Sequence, residues 1–330
     1  MTELSGKTAF VTGATGFLGG AIALRLADEG VNVRALARRS GRDQHIRKHP
    51  QIEIVQGDIR NPDQMRDFTK GCDYVFHAAA ALGGRLQHQY QINVEGTAHV
   101  ARAAAEAKVQ RIIHISTIAV YGYQHRGIIT ESTPHIPGNV PYNITKSRAE
   151  QDLKAIARQA GLSYTINRPG LIYGPRSHAW TVQLFRWAKH KPFPFFGEGQ
   201  GSIYPIFVDD VVDLLLTQAI HPGADGEAFN CVYQPQPTQR EFMSHYMALI
   251  GNDEWKSYPK WIVSVFAPIL DAGFHLFGNP IDLQEILRML DSTVIYSMDK
   301  SHRLLKWQPV TSIEDGIKRC IPYLKEIGLL

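Results

Sequence analysis

The sequence predicts an α/β fold, a doubly wound parallel sheet with a smaller C-terminal lobe. Three observations carry that expectation. Short apolar runs alternate with helical stretches over the first half of the chain, the rhythm of a parallel sheet covered by helices on both faces. The first run passes straight into Gly13-Ala-Thr-Gly16-Phe-Leu-Gly19 and then into an amphipathic stretch. After Pro175 the rhythm breaks, and Pro192, Pro194, Pro205, Pro222, Pro235 and Pro237 punctuate shorter elements.

Strands are expected at 7–12, 31–37, 52–56, 73–78, 110–116 and 163–168, with helices between them. Lys7-Thr-Ala-Phe-Val-Thr12 reads as a buried strand, and Ala21-Ile-Ala-Leu-Arg-Leu-Ala27 as the helix after the glycine turn. Three glycines at this spacing let a backbone turn tightly, approach a pyrophosphate and pack a helix on a strand, while the helix N-terminus offers free N–H donors. Val208-Asp-Asp-Val-Val-Asp-Leu-Leu-Leu216 starts a helix expected to lead the chain back to the sheet. The expected organisation is therefore a first domain over 1–175 with a returning segment near 206–231, and a second lobe from 176–205 and 232–330, with a cleft between them.

Hydrophobic residues make up 44% of the chain and charged residues 20%, which supports a packed core rather than disorder. The net charge of +4 is small for this length, and basic residues are scattered apart from Arg34 to Lys48, so no nucleic-acid partner is expected. Cys72, Cys231 and Cys320 have no metal-ligand spacing; no metal is expected, and three unpaired cysteines suit a reducing cytosol. The first strand begins almost at the N-terminus without a signal-peptide pattern, so the expected location is cytoplasmic.

Tyr142 and Lys146 in Pro141-Tyr-Asn-Ile-Thr-Lys-Ser-Arg-Ala-Glu150 stand one helical turn apart, and Thr117 closes the apolar run Ile112-Ile-His-Ile-Ser-Thr117. On a helix, i and i+4 share a face, so an ammonium can sit beside a phenol and favour its ionised form. At about 4 Å such a charge is worth up to roughly 4 kcal/mol at moderate dielectric, enough to tune a phenol from about 10 toward neutral pH. Proton transfer to a carbonyl, or from an alcohol, needs a group tuned in this way. Tyr296 and Lys300 share the spacing, but no strand ending in a hydroxyl residue leads toward them, and this second pair reads as structural.

The ordered set of motifs resembles the extended short-chain dehydrogenase/reductase family, within the NAD-dependent epimerase/dehydratase superfamily. It comprises Gly13-x-x-Gly16-x-x-Gly19, Gly57-Asp58-Ile59, Phe76-His-Ala-Ala79, Asn93-Val-x-Gly96-Thr97, Ser116-Thr117-x-x-Val-Tyr-Gly122, Tyr142-x-x-x-Lys146 and Arg168-Pro-Gly-x-x-Tyr-Gly-Pro175. The resemblance implies a Rossmann domain binding a nicotinamide dinucleotide. It also implies that Tyr142 acts as general acid or base, that Lys146 holds the nicotinamide ribose and depresses the tyrosine pKa, and that Thr117 hydrogen-bonds the substrate oxygen. Cofactor contacts are implied at Gly13, Thr15, Gly16, Phe17, Leu18 and Gly19, at Asp58 and Ile59, at Ala78, Ala79 and Ala80, and at Tyr142, Lys146 and Pro169. Asn93 either positions the site or caps a helix.

Cofactor choice is expected at the end of the second strand, where an acidic residue would bind ribose hydroxyls and repel a 2′-phosphate. Here Ala37 is followed by Arg38, Arg39 and Ser40, which suit a phosphate, so NADP is expected, with NAD the other possibility. Sugar dehydratases of the family carry Asp-Glu after the threonine; Ile118-Ala119 stand there instead. Nucleotide-sugar epimerases carry an arginine where Ile203 stands, and a diphosphate beside it would lack a counter-ion unless Arg176 or Arg288 supplied one.

Trp261-Ile-Val-Ser-Val-Phe-Ala-Pro-Ile-Leu-Asp-Ala-Gly-Phe-His-Leu-Phe277 is apolar apart from Asp271, too short and Pro-broken for a spanning helix. It reads as a core or dimer helix, a lid over a greasy substrate, or a membrane-docking patch. Together with Pro259-Lys-Trp261 it is most similar to the 3β-hydroxysteroid dehydrogenase and dihydroflavonol reductase-like branch. The expected function is NADP-dependent interconversion of a secondary alcohol and a ketone on a lipophilic, steroid-like or polycyclic small molecule, with nucleotide-sugar epimerase the alternative. The resemblance also implies a homodimer through helices near Gln91 to Ala107 and Tyr142 to Arg158, with Ile144, Ala149, Leu153 and Ile156 as candidate contacts.

Overall fold

Alternation of side chains along each strand of the main sheet builds two separate cores. The structure, a computed structural model, describes residues 3–39, 41, 43–259, 261–262 and 292–330. It opens with β1 (Thr8–Thr12), α1 (Phe17–Asp28), β2 (Asn32–Ala37), β3 (Ile52–Gln56), α2 (Pro62–Thr69) and β4 (Tyr74–His77). A short α3 (Leu86–Tyr90) runs through a π-helical segment (Gln91–Glu95) into α4 (Gly96–Glu106), followed by β5 (Arg111–Ile115) and a 3₁₀ turn (Ile118–Tyr121). Next come β6 (Ile128–Ile129), α5 (Pro141–Ala160) and β7 (Tyr164–Pro169).

The six strands predicted for the main sheet are present, each end within a residue of the expected position. They pair in parallel in the order β3-β2-β1-β4-β5-β7. The chain then passes β8 (Leu171–Tyr173), a second π-helical segment (His178–Gln183), α6 (Leu184–Ala188), β9 (Phe193–Phe196), β10 (Pro205–Phe207) and α7 (Val208–Ile220). Beyond α7, β11 (Ala228–Cys231) adds a seventh parallel strand beside β7, while α7 itself packs against α1. The α/β doubly wound class is thus the fold of this chain.

Phe10, Val75 and Ile112 face a core that also holds Met65, Val100, Ala104, Leu153 and Ala157 from α2, α4 and α5. Their neighbours Val11, Phe76 and Ile113 face the opposite core, with Ile22 and Leu26 of α1 and Val211 and Leu215 of α7. These central strands β1, β4 and β5 therefore carry apolar residues on both sides, which is why their runs read as continuous rather than alternating. Helix ends are marked locally. Pro141 sits at the first position of α5 and Gly161, at φ 65°, closes it. Asn61 caps α2 by accepting from the Asp63 and Gln64 N–H groups.

The remaining described elements are α8 (Gln239–Ala248), β12 (Trp255–Tyr258), β13 (Ile295–Tyr296), α9 (Asp299–Leu305) and α10 (Ile313–Glu326). They contribute three small parallel pairs, β8 with β10, β9 with β12 and β6 with β13. Asp210, in the first turn of α7, accepts from the Val310 and Thr311 N–H groups and the Thr311 hydroxyl at 3.1–3.2 Å, tying the C-terminal segment to the sheet. Tyr296 is 1% exposed, with its ring against Tyr121 and Tyr204, and Lys300 pairs with Glu227, so this second Tyr-x-x-x-Lys is structural. Of the apolar stretch ending at Phe277 only Trp261 and Ile262 lie within the described residues, and Ser40 and Arg288 fall outside them. Among the described residues no helix is long and apolar enough to cross a membrane.

Candidate active site

Parallel strands bring their C-terminal ends to one edge, and nearly every residue singled out in the sequence sits there. The glycine turn follows β1, Arg38 and Arg39 follow β2, and Asp58 and Ile59 follow β3. Ala78 to Ala80 follow β4, Thr117 follows β5, and Pro169 ends β7. The order reverses between β1 and β4, the switch point where such sheets open a crevice.

Gly13 has φ 71°, and a Cβ there would lie 2.7 Å from the Ala79 nitrogen. A Cβ on Gly19 would overlap the Gly13 carbonyl, so the helix lies directly on the turn. Gly16 caps α1 without a side chain, and no acidic residue occupies the first turn. The first N–H groups of α1 are thus offered to an anion with the positive end of the helix dipole behind them. This cradle fits a dinucleotide pyrophosphate, and Thr15, Phe17 and Leu18 stand half-buried along it.

Ala37 is 2% exposed, whereas Arg38 and Arg39 are exposed and make no ion pair among the described residues. Asp58 accepts from Arg60 at 3.0 and 2.7 Å, which holds its carboxyl below the usual range. Ile59 is buried, and its side chain lies where a Cβ on Gly96 would be.

Thr117 caps the 3₁₀ turn by accepting from the Ala119 N–H at 3.2 Å. Its own proton remains available toward Tyr142, whose ionised form the Thr117 hydroxyl favours. Tyr142 is half-buried, and burial, opposed by the Thr117 hydroxyl, pushes the phenol up to about 12. Lys146 is 2% exposed and donates to the Ile115 carbonyl at 2.5 Å; burial pushes the ammonium down to about 8. The Thr117 hydroxyl therefore bears on the Tyr142 phenol. Burial disfavours both charged forms, and Lys146 is not among the groups that shift the phenol.

Two buried networks hold these groups. In the first, Thr97 donates to the Asn93 carbonyl at 2.6 Å and so accepts from His77 Nε2 at 2.9 Å. His77 Nδ1 then accepts from Thr12 at 2.7 Å, and the Ala79 N–H donates to Thr12 at 3.2 Å. Burial drives His77 down to about 3, so the ring stays neutral. Asn93 lies inside the π-helical segment, accepts from the Ala81 N–H at 2.7 Å, and donates to the Ala81 carbonyl and to Thr145, each at 3.0 Å. Of its two readings, positioning is the one realised, since it bridges the β4 loop to α5.

In the second network, Arg168 grips Glu150 through both oxygens at 3.0 and 2.6 Å and donates to the Tyr121 hydroxyl at 2.6 Å. Both charged partners are at most 1% exposed. Sequence reasoning did not assign His77, His114, Glu150 or Thr12 to the site. All four, like Arg168, lie within the runs and motifs read from the sequence, but nothing in the spacing shows which strand residues face α5.

Ile203 packs against the main core and its N–H donates to the Pro237 carbonyl, so that position is apolar. Arg176 is exposed at φ 75° and acts electrostatically on His45, whose ring lies against Gly20 of α1. Ile118 and Ala119, in the 3₁₀ turn after Thr117, supply no acid or base.

Residues 9–231 match the profile of the NAD dependent epimerase/dehydratase family. A 2-alkyl-3-oxoalkanoate reductase of Shewanella oneidensis is 26% identical over 94% of this chain and 84% of its own. A UDP-glucose 4-epimerase of Vibrio cholerae is 25% identical over 95% and 94%. Among solved structures, an epimerase from Methanothermobacter thermautotrophicus superposes with a TM-score of 0.81 at 24% identity, covering 98% of this chain and 93% of that one.

Proposed function

Because the chain belongs to the NAD dependent epimerase/dehydratase family, we propose that it is an NADP-dependent oxidoreductase interconverting a secondary alcohol and a ketone on a lipophilic small molecule. The observation that carries this reading is a Tyr142 phenol kept neutral under the influence of the Thr117 hydroxyl, together with an apolar Ile203 where nucleotide-sugar epimerases carry an arginine. A phenol near 12 is protonated at neutral pH and can give its proton to a carbonyl oxygen. Thr117 orients that oxygen. Lys146 holds the nicotinamide ribose hydroxyls, and Gly13, Gly16 and Gly19 with the α1 N-terminus hold the pyrophosphate. The bound dinucleotide supplies or takes the hydride.

Arg38 and Arg39, free of ion pairs among the described residues, support a 2′-phosphate and hence NADP over NAD. The reductase relative, named for an alkyl-bearing oxo acid, supports a lipophilic ketone. The epimerase reading rests on the Vibrio cholerae relative and asks for a cation near the substrate diphosphate, which Ile203 does not provide. The division into a Rossmann domain and a lobe over 176–205 and 232–330 that shapes the substrate pocket, and a homodimer through α4 and α5, belong to the same proposal.

The test is a melting-temperature screen of the NADPH-saturated protein against hydrophobic ketones, steroids and flavanones on one side and UDP- and GDP-sugars on the other. A ligand at about a hundred times its Kd adds roughly 2.7 kcal/mol. Stabilisation by a hydrophobic ketone with NADPH consumption is expected; stabilisation by nucleotide sugars alone replaces this reading with epimerase.

A further inference from the structure

Among the described residues, Lys108, Arg176 and Lys306 are the non-glycine positions with positive φ. Lys108 follows the C-cap of α4 and Lys306 caps α9, where a left-handed residue closes a helix and a cation meets the negative end of its dipole. Arg176, at φ 75°, closes no helix. The Ser177 N–H donates to the Gly174 carbonyl at 3.1 Å, so Pro175 and Arg176 are the two central residues of a type II turn. The second of these positions favours glycine, and any side chain there is held under strain.

The turn is fixed in place. Thr181 donates to the Gly174 carbonyl at 2.9 Å and accepts from the Gly174 N–H at 3.0 Å, and Ser177 donates to the Ile172 carbonyl at 3.1 Å. A Cβ on Gly174 would meet Val208 at 2.6 Å and the tip of the Phe17 ring at 3.5 Å, so the turn lies against the first residue of α1. Arg176 stands two residues further on, exposed, and its guanidinium has no hydrogen bond or ion pair among the described residues. The carboxylates beyond Val208 are engaged elsewhere, Asp209 by Arg319 and Asp210 by Val310 and Thr311. Burial, and after it the Arg176 charge, hold His45 below the usual imidazole range, and the His45 ring lies against Gly20 in the first turn of α1.

We infer that Arg176 is a dinucleotide-binding residue, a cation kept on a strained turn beside Phe17 to meet the pyrophosphate that the glycine turn receives. The inference deepens the proposed function and rests on its assignment of that cradle. Glycine would relax the turn and remove the charge, so the strain is tolerated for what the side chain supplies. The α1 N–H groups offer one set of donors to the anion, and a guanidinium adds a paired set together with a full positive charge. Arg38 and Arg39, after β2, are left to the 2′-phosphate.

The test compares ADP-ribose, which has the pyrophosphate but neither nicotinamide nor 2′-phosphate, with NADPH. Both are titrated calorimetrically into the wild type, Arg176→Gly and Arg176→Lys, and the melting temperature of each ligand-free protein is recorded. Arg176→Gly is expected to weaken both ligands alike by roughly tenfold or more, one charge-assisted bond being lost, and Arg176→Lys to restore part of the affinity. The ligand-free melting temperature of Arg176→Gly is expected to hold or rise, because the turn is relaxed. A fall in that temperature would show the side chain serving the fold, and overturns the inference. Unchanged affinity for ADP-ribose overturns it too, whether NADPH binding holds or weakens, since a loss confined to NADPH places the charge at the 2′-phosphate. A wild type that binds neither ligand removes the cofactor reading itself, and this inference with it.

Discussion

The Tyr142 phenol and the Lys146 ammonium are moved in opposite directions by one cause, removal from water, which favours the neutral form of each. Replacing Tyr142 with Phe is expected to lower turnover of a ketone substrate by roughly a hundredfold or more while NADPH affinity holds, since only the proton donor is removed. Steady-state kinetics alongside fluorescence titration of NADPH separates the two, and retained turnover removes the assignment. Arg38→Ala is expected to weaken NADPH by roughly tenfold or more and NADH little, one charge-assisted bond being lost; equal losses for both count against the NADP preference. Histidine burial sets the acid response. His77 stands at about 3 and His135 at about 4, and His114 is also depressed, so below about 6.5 the unfolded chain binds protons that the folded one refuses. Stability is thus lost as pH falls from about 6.5, by about 2 kcal/mol for His77 alone at pH 5. Denaturation midpoints that stay level between pH 7 and 5 contradict this.

At the scale of elements, the glycine turn and the seat of α5 behave differently toward a reader of the sequence. The turn was legible, because three glycines between an apolar run and an amphipathic stretch answer a local steric demand. Gly19→Ala places a methyl on the Gly13 carbonyl and must push α1 off the turn, whereas a Cβ at Gly16 meets that carbonyl at 3.2 Å, a lesser intrusion. Gly19→Ala is therefore expected to cost more dinucleotide affinity and melting temperature than Gly16→Ala, which calorimetry with and without NADPH can rank. The seat of α5 was not legible. Arg168 and Glu150 lie 18 residues apart, on β7 and α5, and no periodicity links a strand residue to a particular helix face. Glu150→Ala leaves a guanidinium buried without its partner and is expected to destabilise by about 3–5 kcal/mol. A loss below about 1 kcal/mol in urea unfolding would mean that the pair is relieved by its other contacts.

At the scale of the whole molecule, the sheet order carries the chemistry to one edge, and the outer surface decides assembly. Ala149 and Leu153 are fully buried within the protomer, so a second copy docking on α5 would meet Ile144 and Ile156, half-buried, beside exposed Arg148 and Gln151. Sedimentation is expected to report a dimer that Ile144→Asp weakens, and a monomer at all concentrations removes the dimer without touching the chemistry. The sequence by itself determined the strand positions, the glycine turn into α1, and the placing of Tyr142 and Lys146 one turn apart on α5 with Thr117 at the end of β5. These depend on local sterics, on periodicity and on spacing along one strand or helix, all of which are written in neighbouring residues. Tertiary structure alone decided that His77 and His114 stack across β4 and β5, that Asn93 bridges Ala81 to Thr145, and that burial governs the phenol. Those outcomes depend on which groups meet across the sheet and on how much water is excluded between them, quantities set only once distant strands and helices have packed.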